Sequence, residues 1–257
     1  MLSPGVYARS GVRHPLAIDL GTANVRVWTP AGSSVIDEPT VIAYDREGVP
    51  AAVGRAALAL AGSGDVRLVR PVRDGVVDDF PACVHLLQRL VAASGRPPGD
   101  MSPVLVGVPA TATLWQQDLL IAAVSQTTRG RVVTVEEPLA AALACQATLD
   151  AGCDVVAVDL GHGRTEVVRI ASGAVTAAER IGIDNPLDQV SAIADVVRRL
   201  TRATARSGRR RLLLLTGGGA VGTDAGSRLA ALTGRVVTMP AESQLATIRG
   251  LRLLLTA

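Results

Sequence analysis

Two segments of the chain, 140 residues apart, have similar sequences, and each places a carboxylate beside a glycine-rich turn. The first segment is Ala17–Val25 and the second is Ala157–Thr165, and their carboxylates belong to Asp19 and Asp159. A carboxylate in such a position can hold Mg²⁺ directly or through its waters. Glycine lets backbone N–H groups come close to phosphate oxygens. The repetition therefore predicts two halves of like fold that face one cleft and bind a metal-bound polyphosphate.

Two further segments have residue types that could act on a phosphate group. Glu136 and Glu137 lie where a predicted strand becomes a helix, so either could orient a water for attack on a γ-phosphate. The same acids could instead stabilise the helix N-terminus, and the sequence does not say which glutamate does which. Thr216–Gly219 forms a glycine-rich turn between a strand and a helical segment, a position that can bind an anion.

Strands and helices alternate along the chain, and this order predicts an α/β fold that positions the candidate residues at strand ends. The predicted strands include Leu16–Asp19, Val25–Trp28, Pro39–Tyr44, Arg67–Val69, Val104–Val108, Val132–Val135, Glu166–Ile170 and Leu212–Leu215. The predicted helices cover about 56–61, 79–95, 113–127, 139–147 and 243–255, and another begins at Asn185, which has the residue type of a helix cap.

Composition excludes several classes of protein. The chain contains no lysine, so a Walker-type P-loop and a kinase-type lysine are both ruled out. A net charge of +3, with one Phe, two Trp and two Tyr, gives no support for nucleic-acid binding. Cys83, Cys145 and Cys153 form no C-x-x-C pair, which favours a reduced, cytosolic protein. Residues 1–15 lack the apolar core of a signal peptide, and no apolar run approaches the ~20 residues that span a bilayer.

Seven segments, in this order, resemble the actin, chaperone and sugar-kinase superfamily of ATPases, and more narrowly the bacterial actins of the MreB/Mbl type. The segment Arg70–Val76 and the loop Asp19–Asn24 are specific to the bacterial actins within that superfamily. The matching segments cover nearly the whole chain: Ile18–Asn24, Glu38–Ala43, Arg70–Val76, Val106–Pro109, Glu136–Ala142, Val158–Gly161 and Leu215–Ala220.

The resemblance implies an α/β fold with a duplicated actin-like (ribonuclease H-like) ATPase core, in which two lobes surround a nucleotide cleft. The first lobe would cover 1–142, with a small outer subdomain at about 30–76, and a C-terminal helix at about 243–257 could return to it. The second lobe would cover 143–242. In the family a much longer segment separates the second hairpin from the strand before Gly217, whereas here only Asp184–Leu212 does. The outer subdomain of the second lobe is therefore expected to be missing.

The resemblance also assigns roles to single residues, with ATP and Mg²⁺ as the implied cofactors. Asp19 and Asp159 would hold the metal, and Glu136 or Glu137 would be the hydrolytic acid. The first phosphate loop would contain Gly21, Thr22, Ala23 and Asn24; the second, Gly161, His162, Gly163, Arg164 and Thr165; and the adenosine-side loop, Gly217, Gly218 and Gly219.

The second phosphate loop departs from the family pattern, which is Gly-Gly-Gly-Thr-Thr. His162 adds a side chain where the backbone is expected to be permissive, and Arg164 places a cation where the family has a hydroxyl. Arg164 could still neutralise phosphate. Together with the shortened second lobe, these changes lead us to expect nucleotide binding with weak or no ATP hydrolysis.

The expected function is that of an MreB-like protein in cell-shape or cell-wall morphogenesis. Its expected location is the cytoplasm with weak or indirect membrane contact, and its expected partners are full-length bacterial actin or cell-wall morphogenesis proteins, not nucleic acid. Two alternatives stay open. One is a small-molecule kinase of the same superfamily. The other is a non-catalytic module that docks an acidic partner through the arginine-rich segment 198–211.

Overall fold

The structure is a computed structural model that describes residues 13–32, 34–145, 154–182, 186–202 and 212–256. Its elements begin with β1 (Leu16–Leu20), β2 (Asn24–Trp28), β3 (Ile36–Pro39), β4 (Ile42–Tyr44), β5 (Pro50–Val53), α1 (Gly54–Ala59), β6 (Arg67–Val69), β7 (Val72–Arg73), β8 (Val76–Val77), α2 (Phe80–Ala93), β9 (Val104–Val108), α3 (Leu114–Ser125), β10 (Val132–Glu136) and α4 (Glu137–Ala144). They continue with β11 (Asp154–Leu160), β12 (Thr165–Ala171), β13 (Ala174–Ile181), α5 (Pro186–Thr201), β14 (Leu212–Thr216), α6 (Ala225–Thr233), β15 (Val236–Thr238) and α7 (Ala246–Thr256).

Two five-stranded sheets have the same topology, which confirms the predicted duplicated α/β core. The first sheet has the order β10-β9-β1-β2-β3 and the second the order β15-β14-β11-β12-β13. In each, a central strand (β1 or β11) pairs antiparallel with the next strand in sequence and parallel with a strand from the other side. The register is also the same, because Asp19 lies opposite Arg26 and Asp159 lies opposite Glu166.

Apolar side chains alternate between the two faces of β1, so the first sheet is covered on both sides. Ile18 belongs to a core shared with α2 and α3, whereas Ala17 packs with Ile248 and Leu251 of α7 on the other face. The second sheet is covered in the same way by α5 and α6 on one face and by α4 on the other. The carboxyl ends of β1 and β11 are therefore held rigidly between packed helices.

A smaller sheet of order β5-β4-β6 lies with α1 inside the segment predicted as an outer subdomain, and α7 contacts β1, β2 and β9. Between β13 and β14 the described residues contain one helix, α5. The boundaries of the two lobes, and the absence of an outer subdomain from the second, stay predictions.

The predicted strand Pro39–Tyr44 is wrong in one respect, since the structure divides it between β3 and β4. Thr40 makes the break because its N–H donates to Ala23 O (2.8 Å) and its hydroxyl donates to Gly21 O (2.8 Å). These bonds tie the segment to the first glycine turn instead of to a continuous ladder. Thr40 thus helps to fix the shape of the candidate phosphate loop.

Some predictions fall on residues that the structure does not describe, namely the helix cap at Asn185, Cys153, and positions 203–211 of the arginine-rich segment. In the part of the chain that is described, every helix is too short or too polar to cross a membrane.

Candidate functional site

A cleft of about 480 Å³ lies where the two hairpins face each other, and both Asp19 and Asp159 line it. The other predicted site residues that line it are Gly21, Thr22, Ala23, Asn24, Glu137, Gly161, His162, Arg164, Gly217, Gly218 and Gly219. Glu136, Gly163 and Thr165 are outside the lining. The sequence reasoning missed other lining residues, which are Arg26, Asp37, Gly75, Val221, Ser243, Gln244 and Thr247.

The two hairpin turns close in the same way. Gly21 N donates to Asn24 O at 3.0 Å, and Gly161 N donates to Arg164 O at 2.9 Å. A Cβ added at either glycine would lie 2.9 Å from that same carbonyl oxygen, so both positions require glycine. Thr22 Oγ1 accepts the N–H of Gly75 at 2.7 Å, which leaves its own proton available to a ligand in the cleft.

The third glycine turn follows β14 and is fixed by the approach of the C-terminal segment. Gly217 has φ +93°, and a Cβ there would lie 2.4 Å from Leu160 O and 2.7 Å from Asp159 Oδ1. Its N–H donates to Ser243 O (3.1 Å), and the Ser243 hydroxyl donates back to Gly217 O (3.0 Å). Only glycine allows this turn to reach the second hairpin.

The carboxylates of the cleft raise one another's pKa values. Burial raises the pKa of Asp159 to about 6, and the charges of Glu166 and Asp19 add to the rise. Burial and the charges of Asp19, Asp159 and Glu166 hold the pKa of Glu137 well above its usual range. Burial also raises the pKa of Asp19, although Arg26 opposes that shift. The cleft therefore concentrates negative charge in a poorly hydrated place, which favours a cationic partner or proton uptake.

Acid is expected to stabilise the protein through Asp159. Its pKa is higher in the folded state (about 6) than its ordinary value of 3.8, so the folded state holds the proton more tightly. The stabilisation is complete below the unfolded-state pKa and is lost as pH rises through about 6. We expect thermal melts from about pH 7.5 down to about pH 5 to show a rising Tm, and Asp159→Asn to raise Tm at neutral pH and reduce the slope. If Tm depends on pH equally in the wild type and in Asp159→Asn, the prediction is wrong.

Arg26 forms a charged row with the first carboxylate. Its Nη1 donates to Asp19 Oδ2 at 3.1 Å, and its Nε lies 3.4 Å from Asp37 Oδ1 without the alignment of a hydrogen bond. The three residues are direct neighbours across β1, β2 and β3. Asn24 Nδ2 donates to the same Asp37 oxygen at 2.8 Å, so the first phosphate loop is joined to the row.

Arg164 is buried between the two lobes. Its Nη2 donates to Glu166 Oε1 (2.8 Å), and its Nη1 donates to the backbone oxygen of Asp74 (2.5 Å). Glu166 is 1% exposed and also accepts the N–H groups of Ala110 and Thr111, both at 3.0 Å, and the Thr111 hydroxyl. These contacts, which we call the Arg164–Glu166 bridge, join β12 of the second sheet to two loops of the first lobe. His162 is exposed beside it.

A direct magnesium site at Asp19 and Asp159 does not fit this arrangement. The Asp19 carboxylate is already paired with Arg26, whereas Asp159 Oδ1 accepts the Thr216 hydroxyl at 3.3 Å. Within the described ranges, the His, Cys, Asp and Glu side chains form no group of three or more that could hold a metal ion. The metal role of the two carboxylates stays a prediction in its other form, in which they hold the ion through its bound waters.

Glu136 and Glu137 differ in position because the strand ends between them. Glu136 is the last residue of β10, and Glu137 opens α4 and lines the cleft. A Cβ added at Gly107 of the neighbouring strand would lie 3.1 Å from Glu137 Cγ, so the glutamate side chain packs closely over β9. Of the two glutamates, only Glu137 faces the space between the hairpins.

Solved structures with the same fold contain filament-forming and nucleotide-bound proteins. The crystal structure of MreB5 of Spiroplasma citri bound to AMPPNP matches with a TM-score of 0.81 at 21% identity, covering 95% of this chain and 96% of that one. The double helical filament of MamK matches with a TM-score of 0.75 at 18% identity, covering 94% and 98%. At these identities the matches establish the actin-like fold.

Sequence comparison adds the family. The model of the MreB/Mbl protein family matches residues 13–201. The cell shape-determining protein MreB of Escherichia coli (strain K12) is 35% identical over 199 residues, which are 72% of this chain and 55% of that protein. Mbl of Bacillus subtilis (strain 168) is 29% identical over 170 residues, 65% of this chain and 51% of that protein. The matched region thus spans about half the length of these relatives. The chain belongs to the MreB/Mbl family of bacterial actin homologues.

Proposed function

We propose that this chain binds an adenine nucleotide in the cleft and acts, as an MreB-like actin homologue, in cell-shape or cell-wall morphogenesis. The observation that carries the proposal is the duplication itself. Two glycine turns and a third at Gly217 line one cleft, between Asp19 and Asp159. Related folds have been solved with AMPPNP and with ADP, which supports a nucleotide as the ligand.

In this proposal the phosphates lie between the two hairpin turns, and the adenosine lies toward Gly217–Gly219. Backbone N–H groups and the Thr22 hydroxyl would donate to phosphate oxygens. The first lobe would cover 1–142 together with the C-terminal helix, and the second 143–242 without its outer subdomain. That reduction would leave one side of the adenine site open, which lowers the expected affinity.

ATP hydrolysis is proposed to be weak or absent, and Glu137 gives the physical reason. It is the glutamate that lines the cleft, so it would be the residue to orient an attacking water. Its raised pKa favours the protonated carboxyl, which does not accept a proton from water. A cation bound beside Glu137 would lower that pKa again and favour the carboxylate.

The proposed partners are other actin-like chains, either a second copy or a full-length bacterial actin, and cell-wall morphogenesis proteins. The MamK relative forms a double helical filament, and this supports an actin-like partner. The proposed location is the cytoplasm, with weak or indirect contact to the membrane.

Calorimetric titration of ATP and ADP into the full chain tests nucleotide binding. Gly218→Trp should fill the cleft without backbone strain, because a Cβ there meets only Gln244 Cβ at 3.9 Å. We expect the variant to lose at least about tenfold in affinity, or ~1.4 kcal/mol. The matched control is Ala231→Trp, at an exposed position of α6 outside the cleft, and it should bind as wild type.

Two outcomes would contradict the proposal: no binding by the wild type, or equal binding by wild type and Gly218→Trp. Sedimentation with ATP tests assembly, and phosphate release tests hydrolysis. Loss of ATP that depends on an added metabolite would instead support the small-molecule kinase.

A further inference from the structure

Arg26 occupies a position in the first hairpin that corresponds to Glu166 in the second. The two hairpins have the same register, so the residue opposite Asp19 is Arg26 and the residue opposite Asp159 is Glu166. Each lobe therefore places a different charge beside its central carboxylate. The first lobe supplies a cation at the edge of the phosphate site, whereas the second supplies an anion that Arg164 neutralises.

The guanidinium of Arg26 is held in place and still lines the cleft. Its side chain is 13% exposed, and Asp19 and Asp37 fix it from the two neighbouring strands. Among the described residues, no hydrogen bond uses its Nη2 group. A planar guanidinium has five N–H donors in a fixed fork, so it can serve both carboxylates and still donate to a phosphate oxygen.

Arg26 also engages one of the two carboxylate oxygens of Asp19, Oδ2, that could otherwise bind a metal ion. A divalent cation bound to that carboxylate would lie close to the guanidinium, and like charges at such distances repel strongly in a poorly hydrated cleft. Arg26 thus places one guanidinium beside the Asp19 carboxylate, where a nucleotide would otherwise bring a metal.

We propose that Arg26 replaces the divalent cation on the Asp19 side of the cleft and pairs directly with the nucleotide phosphates, so that nucleotide binds without Mg²⁺. This inference rests on the proposed nucleotide binding and names the cation that the site uses. Arg26 is a specificity-determining residue in this sense, because it selects the metal-free nucleotide. Its bidentate geometry suits a phosphate better than an ammonium would.

The test is calorimetric titration of ATP into the full chain, once with Mg²⁺ and once with EDTA. For the wild type we expect the two affinities to agree within about threefold. Arg26→Leu should bind ATP about tenfold to a hundredfold more weakly in EDTA, because it loses one charge-assisted hydrogen bond. Mg²⁺ should restore part of that affinity. Arg26→Lys keeps the charge but not the forked geometry of the guanidinium. Its affinity for ATP in EDTA should lie between those of the wild type and Arg26→Leu.

The matched control is Arg46→Leu, which removes an arginine from an exposed ion pair with Asp65 outside the cleft and should bind as wild type. If Arg26→Leu fails to fold, the wild-type comparison and Arg26→Lys still decide the question. Wild-type affinity that falls more than about threefold in EDTA, or Arg26→Leu binding as wild type there, overturns the inference but leaves nucleotide binding intact. An absence of binding in both buffers overturns the proposed function as well.

Discussion

Replacing Glu166 with leucine is expected to destabilise the protein by about 4 kcal/mol, because it breaks a buried ion pair from one side. Arg164 is 7% exposed and would keep its charge with the Asp74 backbone oxygen as its main remaining partner. The N–H groups of Ala110 and Thr111 would lose their acceptor at the same time. Urea unfolding at neutral pH measures the loss.

A double-mutant cycle separates the Arg164–Glu166 bridge from the cost of the leucine itself. In Arg164→Leu/Glu166→Leu both charges are gone, so this variant should be about 2 kcal/mol more stable than additive single changes imply. The control is Arg199→Leu, which breaks an ion pair between exposed Arg199 and Glu179 and should cost less than about 1 kcal/mol. If the losses in unfolding free energy of the two single variants add up to that of the double variant, the bridge contributes no coupling.

The Arg164–Glu166 bridge is one of two sets of contacts that join the lobes beside the cleft. It ties β12 of the second sheet to the loop after β9 and to the Asp74 loop of the first lobe, and a second ion pair joins Asp74 to Arg180 of β13 at 2.7 Å. These contacts need no nucleotide. Protein groups alone therefore join the two lobes beside the cleft.

The two hairpins could be predicted from the sequence because their signals are local. A strand that ends in Asp, followed by a glycine turn and a second strand, fixes both the turn and the direction of the carboxylate. β13 (Ala174–Ile181) was not predicted, because its alternation is weak and alanine and charged residues occupy much of it. The break at Thr40 was not predicted either, since it depends on bonds to the first turn from residues that are distant along the chain.

The charges in the cleft were less accessible to sequence reasoning. The alternating pattern places Arg26 on the polar face of its strand. The pattern does not reveal whether that face meets solvent or a cleft. Register could have indicated it, since the turn after Leu20 places Asp19 opposite Arg26. Arg164 was predicted as a possible phosphate partner, but its buried contacts are to Glu166 and the Asp74 loop. Those residues are distant along the chain and come together only in the folded protein.

Gly250→Ala is expected to lower the free energy of unfolding by about 3 kcal/mol, although alanine is the better helix former. Gly250 lies in the interior of α7, where the helix packs against α4. A Cβ at this position would lie 1.8 Å from Ala140 O and 2.8 Å from Ala140 Cα, so a backbone segment would have to move. Thermal and urea unfolding measure the loss.

The matched control is Gly226→Ala in α6, where a Cβ would lie 3.8 Å from Leu215 Cδ2 and should be tolerated within about 0.5 kcal/mol. Since α4 begins at Glu137, a shift of α4 away from α7 would also move the glutamate that lines the cleft. Gly250→Ala should therefore weaken nucleotide binding as well as stability, whereas Gly226→Ala should change neither. Equal stability of the two variants would contradict the close approach of α7 to α4 at Gly250 and Ala140.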